Sequence, residues 1–405
     1  MERDAVLTDV PALARLQQRA LIVGAAGLIA GAAGAFLSSV DQFLRSWLIG
    51  FIFVLGLSLG SLALLMLQHL SGGQWGLVGR RVWEAASRTL PVLAILFLPI
   101  AFGMDRLFIW AQPEVVANDP IIQAKAAYLN PGFFLVRAVI YFVFWIACAW
   151  ILNRYSAAQD RGEMAVLPGD TVRFRTVSAP GLLLFVLTMS FASVDWMMSL
   201  DVHWFSTIYG LMTVAGQGLS ALALAIAVLS LAGNAPPFSI YVTPRHFHDL
   251  GKLLLAFVML WAYLNFSQFL IIWSGNLPEE IPWYLNRLRG GWGYVAVLLL
   301  VGHFALPFLL LLSRDVKRRP ALLARIAVAV IVMRLVDIVW LLAPAFTHGD
   351  VAADAHHFPI HWMDVAIPVG MLGLWLFLFV RQLRSRALLP LNDPFFKEAF
   401  VHEAH

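Results

Sequence analysis

The chain has 405 residues, 60% of them hydrophobic and only 13% charged, with a mean hydropathy of +0.79. That balance excludes a soluble globular protein and a disordered one, and reads as an all-α polytopic membrane protein. The formal net charge of +4 is small and needs no nucleic acid to explain it, because loop Lys and Arg set the orientation of membrane helices.

At roughly 20 apolar residues per crossing, ten helices are predicted, near 20–39, 46–69, 89–111, 132–153, 179–199, 204–232, 251–274, 292–313, 320–343 and 361–382. The first follows a basic stretch (Arg3, Arg15, Arg19) but is long and lacks a small-residue cleavage site, so it is expected to remain as an uncleaved anchor. The longest stretch without a candidate helix, about 153–179, is too short to fold alone, so extramembrane chemistry must come from loops or partners. Most of the 28 Lys and Arg fall in the N-terminal segment 1–19, the even-numbered loops and the tail 383–405. The positive-inside rule then places both termini in the cytoplasm. Asp201, His203, Glu279, Glu280, Asp350, Asp354, His356 and His357 are expected to face outward.

Sliding the chain on itself shows a faint repeat. Gly56, Leu59, Leu62, Ala63 and Leu64 on the second helix fall on Gly216, Leu219, Leu222, Ala223 and Leu224 on the sixth, and Arg154 falls on Arg314. A slightly longer slide lays Trp110 on Trp273, and a shorter one lays Val194-Asp195 on Val336-Asp337. Chance coincidence and duplication both account for these matches. Duplication predicts two four-helix bundles in parallel orientation, 46–199 and 204–343, with the first and tenth helices peripheral.

The charges within or at the edges of the spans are few. Asp105 and Arg106 end the third helix, Arg137 lies about two turns into the fourth and Asp195 ends the fifth. Arg334 and Asp337 sit in the middle of the ninth, and His361 and Asp364 open the tenth. Most lie in the outer half of the bilayer. An intramembrane charge marks a functional site by default, so one reading is a proton-exchanging or quinol-binding cluster of tuned carboxylates and imidazoles. The other is interhelical pairing, with Arg334 and Asp337 neutralising each other at i, i+3 and Asp105 held by Arg106 or Arg137.

The seventh helix carries Tyr263, Asn265, Ser267 and Gln268, with Lys252 at its inner end. Tyr263 and Ser267 share a face at i, i+4, and the stripe reads either as a water-holding proton path or as hydrogen-bonding glue between helices. His303, mid-span on the eighth helix, is a further proton-path or quinol-site candidate, as a ligand or proton carrier; a lone histidine more often bonds a neighbouring helix, and haem ligation wants a second histidine at matching depth. His246 and His248, before the seventh helix, are expected to cap it or to form the inner mouth of a polar path rather than bind metal. The tryptophans, Trp110, Trp204, Trp273, Trp283 and Trp292 among them, flank spans and are expected to form an interfacial belt. The single cysteine, Cys148, excludes an intrachain disulfide, a thiolate cluster and a covalent c-type haem motif.

Several segments together resemble a known superfamily: Ser193-Val-Asp-Trp-Met-Met-Ser-Leu-Asp-Val-His-Trp-Phe-Ser-Thr-Ile-Tyr-Gly210, His248-Asp-Leu-Gly-Lys252, Phe257-Val-Met-Leu-Trp-Ala-Tyr263, Phe266-Ser-Gln268, Ile272-Trp-Ser-Gly-Asn-Leu-Pro-Glu-Glu280 and Leu389-Pro-Leu-Asn-Asp-Pro394. Across about residues 20–395 the chain is similar to the NrfD-like, or polysulfide-reductase membrane-subunit, superfamily. Within it, the chain most resembles the F subunits of alternative complex III, a quinol:cytochrome c oxidoreductase.

The resemblance implies a bacterial inner-membrane subunit that is not catalytic alone and binds no redox metal. Its partners would be a homologous NrfD-like membrane subunit, an iron–sulfur protein and cytochrome c subunits that carry the iron–sulfur clusters and haem c. Quinone or quinol is its possible ligand, and proton half-channels or structural support its possible contribution. By motif it assigns Asp195, Asp201 and His203, then Lys252, Tyr263, Ser267 and Gln268, to this role. Arg334 and Asp337 are added by depth, and His361 and Asp364 by their place near the outer surface. The rivals are a proton-coupled secondary transporter and a membrane anchor without chemistry.

Overall fold

The computed structural model describes residues 10–163, 171–233, 235–236, 238–346, 360–390 and 392–396. Asp350, Asp354, His356 and His357 lie outside the described residues. The described residues form helices and no strands. Ten spans are long and apolar enough to cross a membrane. They are α1 (Pro11–Leu37), α2 (Val40–Ser71), α3 (Gln74–Phe102), α4 (Pro131–Asp160), α5 (Thr171–Leu200), α6 (Tyr209–Ala232), α7 (Pro244–Gly275), α8 (Trp292–Leu312), α9 (Pro320–Phe346) and α10 (Met363–Leu383). The protein is an all-α, multi-pass membrane protein. The start of α1 and the end of α10 meet on one side, where Arg384 Nη1 donates to Gln17 Oε1 at 2.9 Å. That side is termed the terminal side, and the opposite one the far side.

Helix α2 packs on α3 and α5, α3 on α4, and α4 on α5, closing one ring of four; α6, α7, α8 and α9 close a second. The rings meet along α2 and α6, whose apolar stretches are 94% and 78% buried, against 22% for α1. Small residues permit that contact. A Cβ on Gly60 would stand 2.1 Å from the carbonyl oxygen of Gln217, so only glycine admits α6 there. The same logic pairs α1 with α10, where a Cβ on Gly24, Gly27, Gly370 or Gly373 would lie 2.5–2.7 Å from atoms of the partner backbone. This pair packs against α2 and α3.

Two expectations fail. The third span begins at Gln74 rather than near 89, because Arg80, Arg81 and Glu84 look like loop residues yet are buried and satisfy one another. Arg80 Nε and Arg81 Nη1 donate to the two Glu84 oxygens at 2.8 Å, Arg80 Nη1 donates to Asp393 at 2.6 Å, and Arg81 pairs with Asp160. With each charge neutralised the helix runs on, breaking at Arg88–Thr89 ahead of Pro91. Its far end stops at Phe102, and short turns carry the chain over the far side to α4.

The tryptophans are the second failure. Trp110, Trp204, Trp283 and Trp292 are buried, and of the five named only Trp273 is exposed. The helix Ile281–Leu288 folds over the far end of the second ring, where Trp204 stacks on Trp283 with centroids 4.5 Å apart. These rings therefore seal the far side rather than line a lipid interface.

Candidate functional site

On α9 the three-residue spacing puts Arg334 and Asp337 on one face, turned into the second ring. Arg334 Nη1 donates to Asp337 Oδ2, and Trp261 Nε1, from α7, donates to the same oxygen at 3.0 Å. The guanidinium has room because α6 has no side chain beside it: a Cβ on Gly216 would lie 2.4 Å from Arg334 Cζ. Asp337 Oδ1 is buried and has no hydrogen-bond partner. A buried acceptor left open is costly, at about 1–3 kcal/mol, and natural structures rarely keep one without a use.

Asp337 lines a cavity of about 630 Å³ between α7 and α8, whose other walls include Trp261, Tyr263, Phe266, Phe304 and Trp340. Tyr263 is 66% exposed and Phe266 is 61% exposed, whereas Asp337 is buried. The mouth therefore faces the hydrocarbon of the bilayer, and the one charged side chain in the wall stands at the back. Tyr284, from the far-side helix, also lines the cavity, and burial pushes its phenol up to about 12, so it stays protonated as a donor.

His303 sits behind this wall. Around it α8 is π-helical over Leu299–Ala305, just ahead of Pro307, which has no N–H for the carbonyl of His303 four residues back. The imidazole is fully buried, edge-on to Trp261 with ring centroids 4.3 Å apart. The expected bond to a neighbouring helix is not made: neither ring nitrogen has a partner.

Asp195, at the end of α5, contrasts with Asp337. Arg137 donates to both of its oxygens at 2.9 Å, Tyr141 Oη donates at 2.9 Å, and the guanidinium stacks 3.9 Å from the Tyr128 ring centroid. Both oxygens are occupied, so the group is a finished lock between α4 and α5. Arg137 is thus engaged by Asp195 and not by Asp105, and Arg106 pairs with Asp41 at 2.9 Å.

Of the remaining predicted residues among those described, Tyr263 and Asn265 line the cavity and the others do not. Asp201 accepts from Arg287 Nη2 at 2.9 Å; Arg287 stacks on Trp283, and burial holds its basicity below the usual arginine range. His203 Nε2 meets Asp119 Oδ2 at 2.6 Å in the far-side loops. Asp364 accepts from Ser46 Oγ at 2.6 Å, Gln42 Nε2 at 2.8 Å and the backbone N–H of His361 at 2.9 Å, so it starts α10 and ties it to α2. Lys252 pairs with Asp249 at the terminal side. Gln268 accepts from Ser206 Oγ at 2.8 Å and donates to Tyr284 Oη at 3.2 Å. Tyr263 is exposed, Ser267 half-buried and Gln268 buried, so no single stripe joins them: 263 and 267 share a face, and 268 lies a third of a turn further round. His246 closes a capping box with Thr243, as its position suggests.

Sequence reasoning missed Trp261, Tyr141, Arg287 and the Arg80–Glu84–Asp393 cluster. Tyr141 carried a signal, four residues after Arg137. Trp261 lies in the segment Phe257–Tyr263 that carries the resemblance, but nothing in the sequence singled it out within that apolar run. Models of known protein families give no match to this chain, and no curated protein matches it.

Proposed function

We propose that the chain is an integral subunit of a respiratory quinol:cytochrome c, or related quinol:acceptor, oxidoreductase of a bacterial inner membrane, with its termini cytoplasmic and its far side outward. The observation that carries this reading is the lipid-facing cavity between α7 and α8 with Asp337, one oxygen unpartnered, in its wall. Such a cavity admits an amphiphile that travels in the bilayer and presents a polar ring, as a quinol does.

Oxidation of a quinol to a quinone breaks two O–H bonds and releases two protons and two electrons. In this reading Asp337 Oδ1 receives the proton of a quinol hydroxyl, while Oδ2 stays paired with the Arg334 guanidinium. Trp261 holds the carboxylate in place through Oδ2. The electrons leave one at a time to haem and iron–sulfur carriers on partner subunits, and the two protons pass one after the other through Asp337 to water. Asp195, Asp364 and Asp201 hold helices and loops together. The π-helical turn at His303 favours a second reading, proton-coupled transport, since transporters bind where a helix is interrupted.

Purification from native membranes in mild detergent, with haem and iron analysis, separates the two. Co-purifying c-type haem, iron–sulfur protein and quinol oxidation support the respiratory reading. A colourless protein that purifies alone overturns it.

A further inference from the structure

A second cavity, of about 270 Å³, opens on the terminal side where α2 ends and α3 and α5 begin; its walls include Gln68, His69, Gln74, Arg80, Phe174 and Arg175. Gln68 Oε1 and His69 Nε2 are buried there without a hydrogen-bond partner, on residues only 6% and 8% exposed. The Phe174 ring holds the imidazole stacked at 4.5 Å and the Arg80 guanidinium at 4.9 Å, so the wall is built rather than loose. Helix α3 begins at this cavity with Gly73 as its N-cap, and no side chain caps its first N–H groups.

The charges around it do not cancel. Arg80, Arg81, Arg88 and Arg386 stand among Glu84, Asp160 and Asp393, four against three. Asp393 is already engaged on both oxygens, by Arg80 and by the backbone N–H of Phe395 at 3.0 Å. That leaves Arg175 at the mouth, exposed and in no ion pair among the described residues.

A surplus of positive charge, an uncapped helix start, and an imidazole and an amide without hydrogen-bond partners fit an oxyanion at the depth of lipid headgroups. The Gln68 amide presents either its oxygen or, turned over, its NH₂. We propose that this cavity binds a phosphate group, either the phosphodiester of a lipid headgroup or a free phosphate ion, held by Arg175, His69 and the start of α3. It is separate from the α7–α8 cavity and does not depend on the quinol reading.

The test uses the full chain, delipidated in neutral detergent, with native mass spectrometry and thermal melting as readouts. The probes are phosphatidylglycerol, diacylglycerol with the same acyl chains, and inorganic phosphate. Phosphatidylglycerol is expected to be retained and to raise the melting midpoint where diacylglycerol does neither. Arg175→Gln, at an exposed position, should weaken retention about tenfold, the loss of one charge-assisted contact, and Arg175→Lys should recover part of it. His69→Gln should weaken it too. If inorganic phosphate stabilises the protein equally and displaces the lipid, the occupant is a soluble anion; if only phosphatidylglycerol acts, it is a lipid. Equal retention of phosphatidylglycerol and diacylglycerol, no effect of either phosphate source, or retention unchanged in Arg175→Gln overturns the proposal.

Discussion

Trp261 Nε1 donates to Asp337 Oδ2 at 3.0 Å, and this bond ties the α7 wall of the lipid-facing cavity to the ion pair on α9 behind it. A ligand that displaces the indole thereby acts on the carboxylate, and through it on Arg334.

Asp337→Asn keeps a group that accepts from Trp261 but removes the charge and the proton acceptor. Under the proposed function the protein should assemble while quinol turnover falls at least about a hundredfold, the low end for a missing general base. Asp337→Ala leaves Arg334 buried without its partner, at a cost of about 3–5 kcal/mol. Size-exclusion chromatography and turnover on the same preparations check both.

Arg137→Met should be as damaging to stability, because it strands Asp195 with Tyr141 alone. The double variant Arg137→Met with Asp195→Leu should recover most of the loss, since apolar replacement of a whole buried pair is close to neutral. Thermal melting in detergent measures this. A loss of turnover in the well-folded double variant would show that Asp195 takes part in chemistry.

Two glycines separate structure from function. Gly60→Ala drives a methyl into the backbone oxygen of Gln217 at 2.1 Å, and rigid backbone on both sides should prevent assembly of the two rings. Gly216→Ala meets only the end of the Arg334 side chain, at 2.4 Å from Cζ. The arginine swings aside, so Gly216→Ala should cost about 1–3 kcal/mol and lower turnover as Asp337→Asn does. Pull-down of the assembled protein and turnover distinguish the two.

The Asp119–His203 contact should make the far-side loops acid-sensitive. Desolvation opposes ionisation of Asp119, but hydrogen bonds from His203 and from the N–H groups of Ile122 and Ile121, with attraction to His203, hold its carboxyl below the ordinary 3.8. A carboxyl depressed on folding stabilises above its unfolded value, and that contribution is lost as pH falls through the lower folded value. Protection of the amides in 113–125 against hydrogen exchange, relative to their intrinsic rates, should therefore fall below about pH 4, and His203→Ala should show the reduced protection already at neutral pH.

Hydropathy was enough to find ten crossings, and charge in an apolar run was enough to find Arg334 and Asp337. The missed start of α3 shows the limit of that signal. Arg80, Arg81 and Glu84 lower the local hydropathy as loop residues do, and only their partners Asp160 and Asp393, far along the chain, make them buried helix. The difference between Asp195 and Asp337 was invisible for the same reason. Each is a carboxylate within a span, and what distinguishes them is whether the surrounding side chains fill both oxygens, as Arg137 and Tyr141 do from the adjacent helix, or one, as Arg334 on the same helix and Trp261 on α7 do.

Photolabelling with an azido-quinol in native membranes tests the α7–α8 assignment most directly. The account predicts label on peptides spanning 259–269 and 293–304, competed by unlabelled quinol and reduced in Asp337→Asn. Label confined to other subunits, or on this chain but away from α7 and α8, would contradict it.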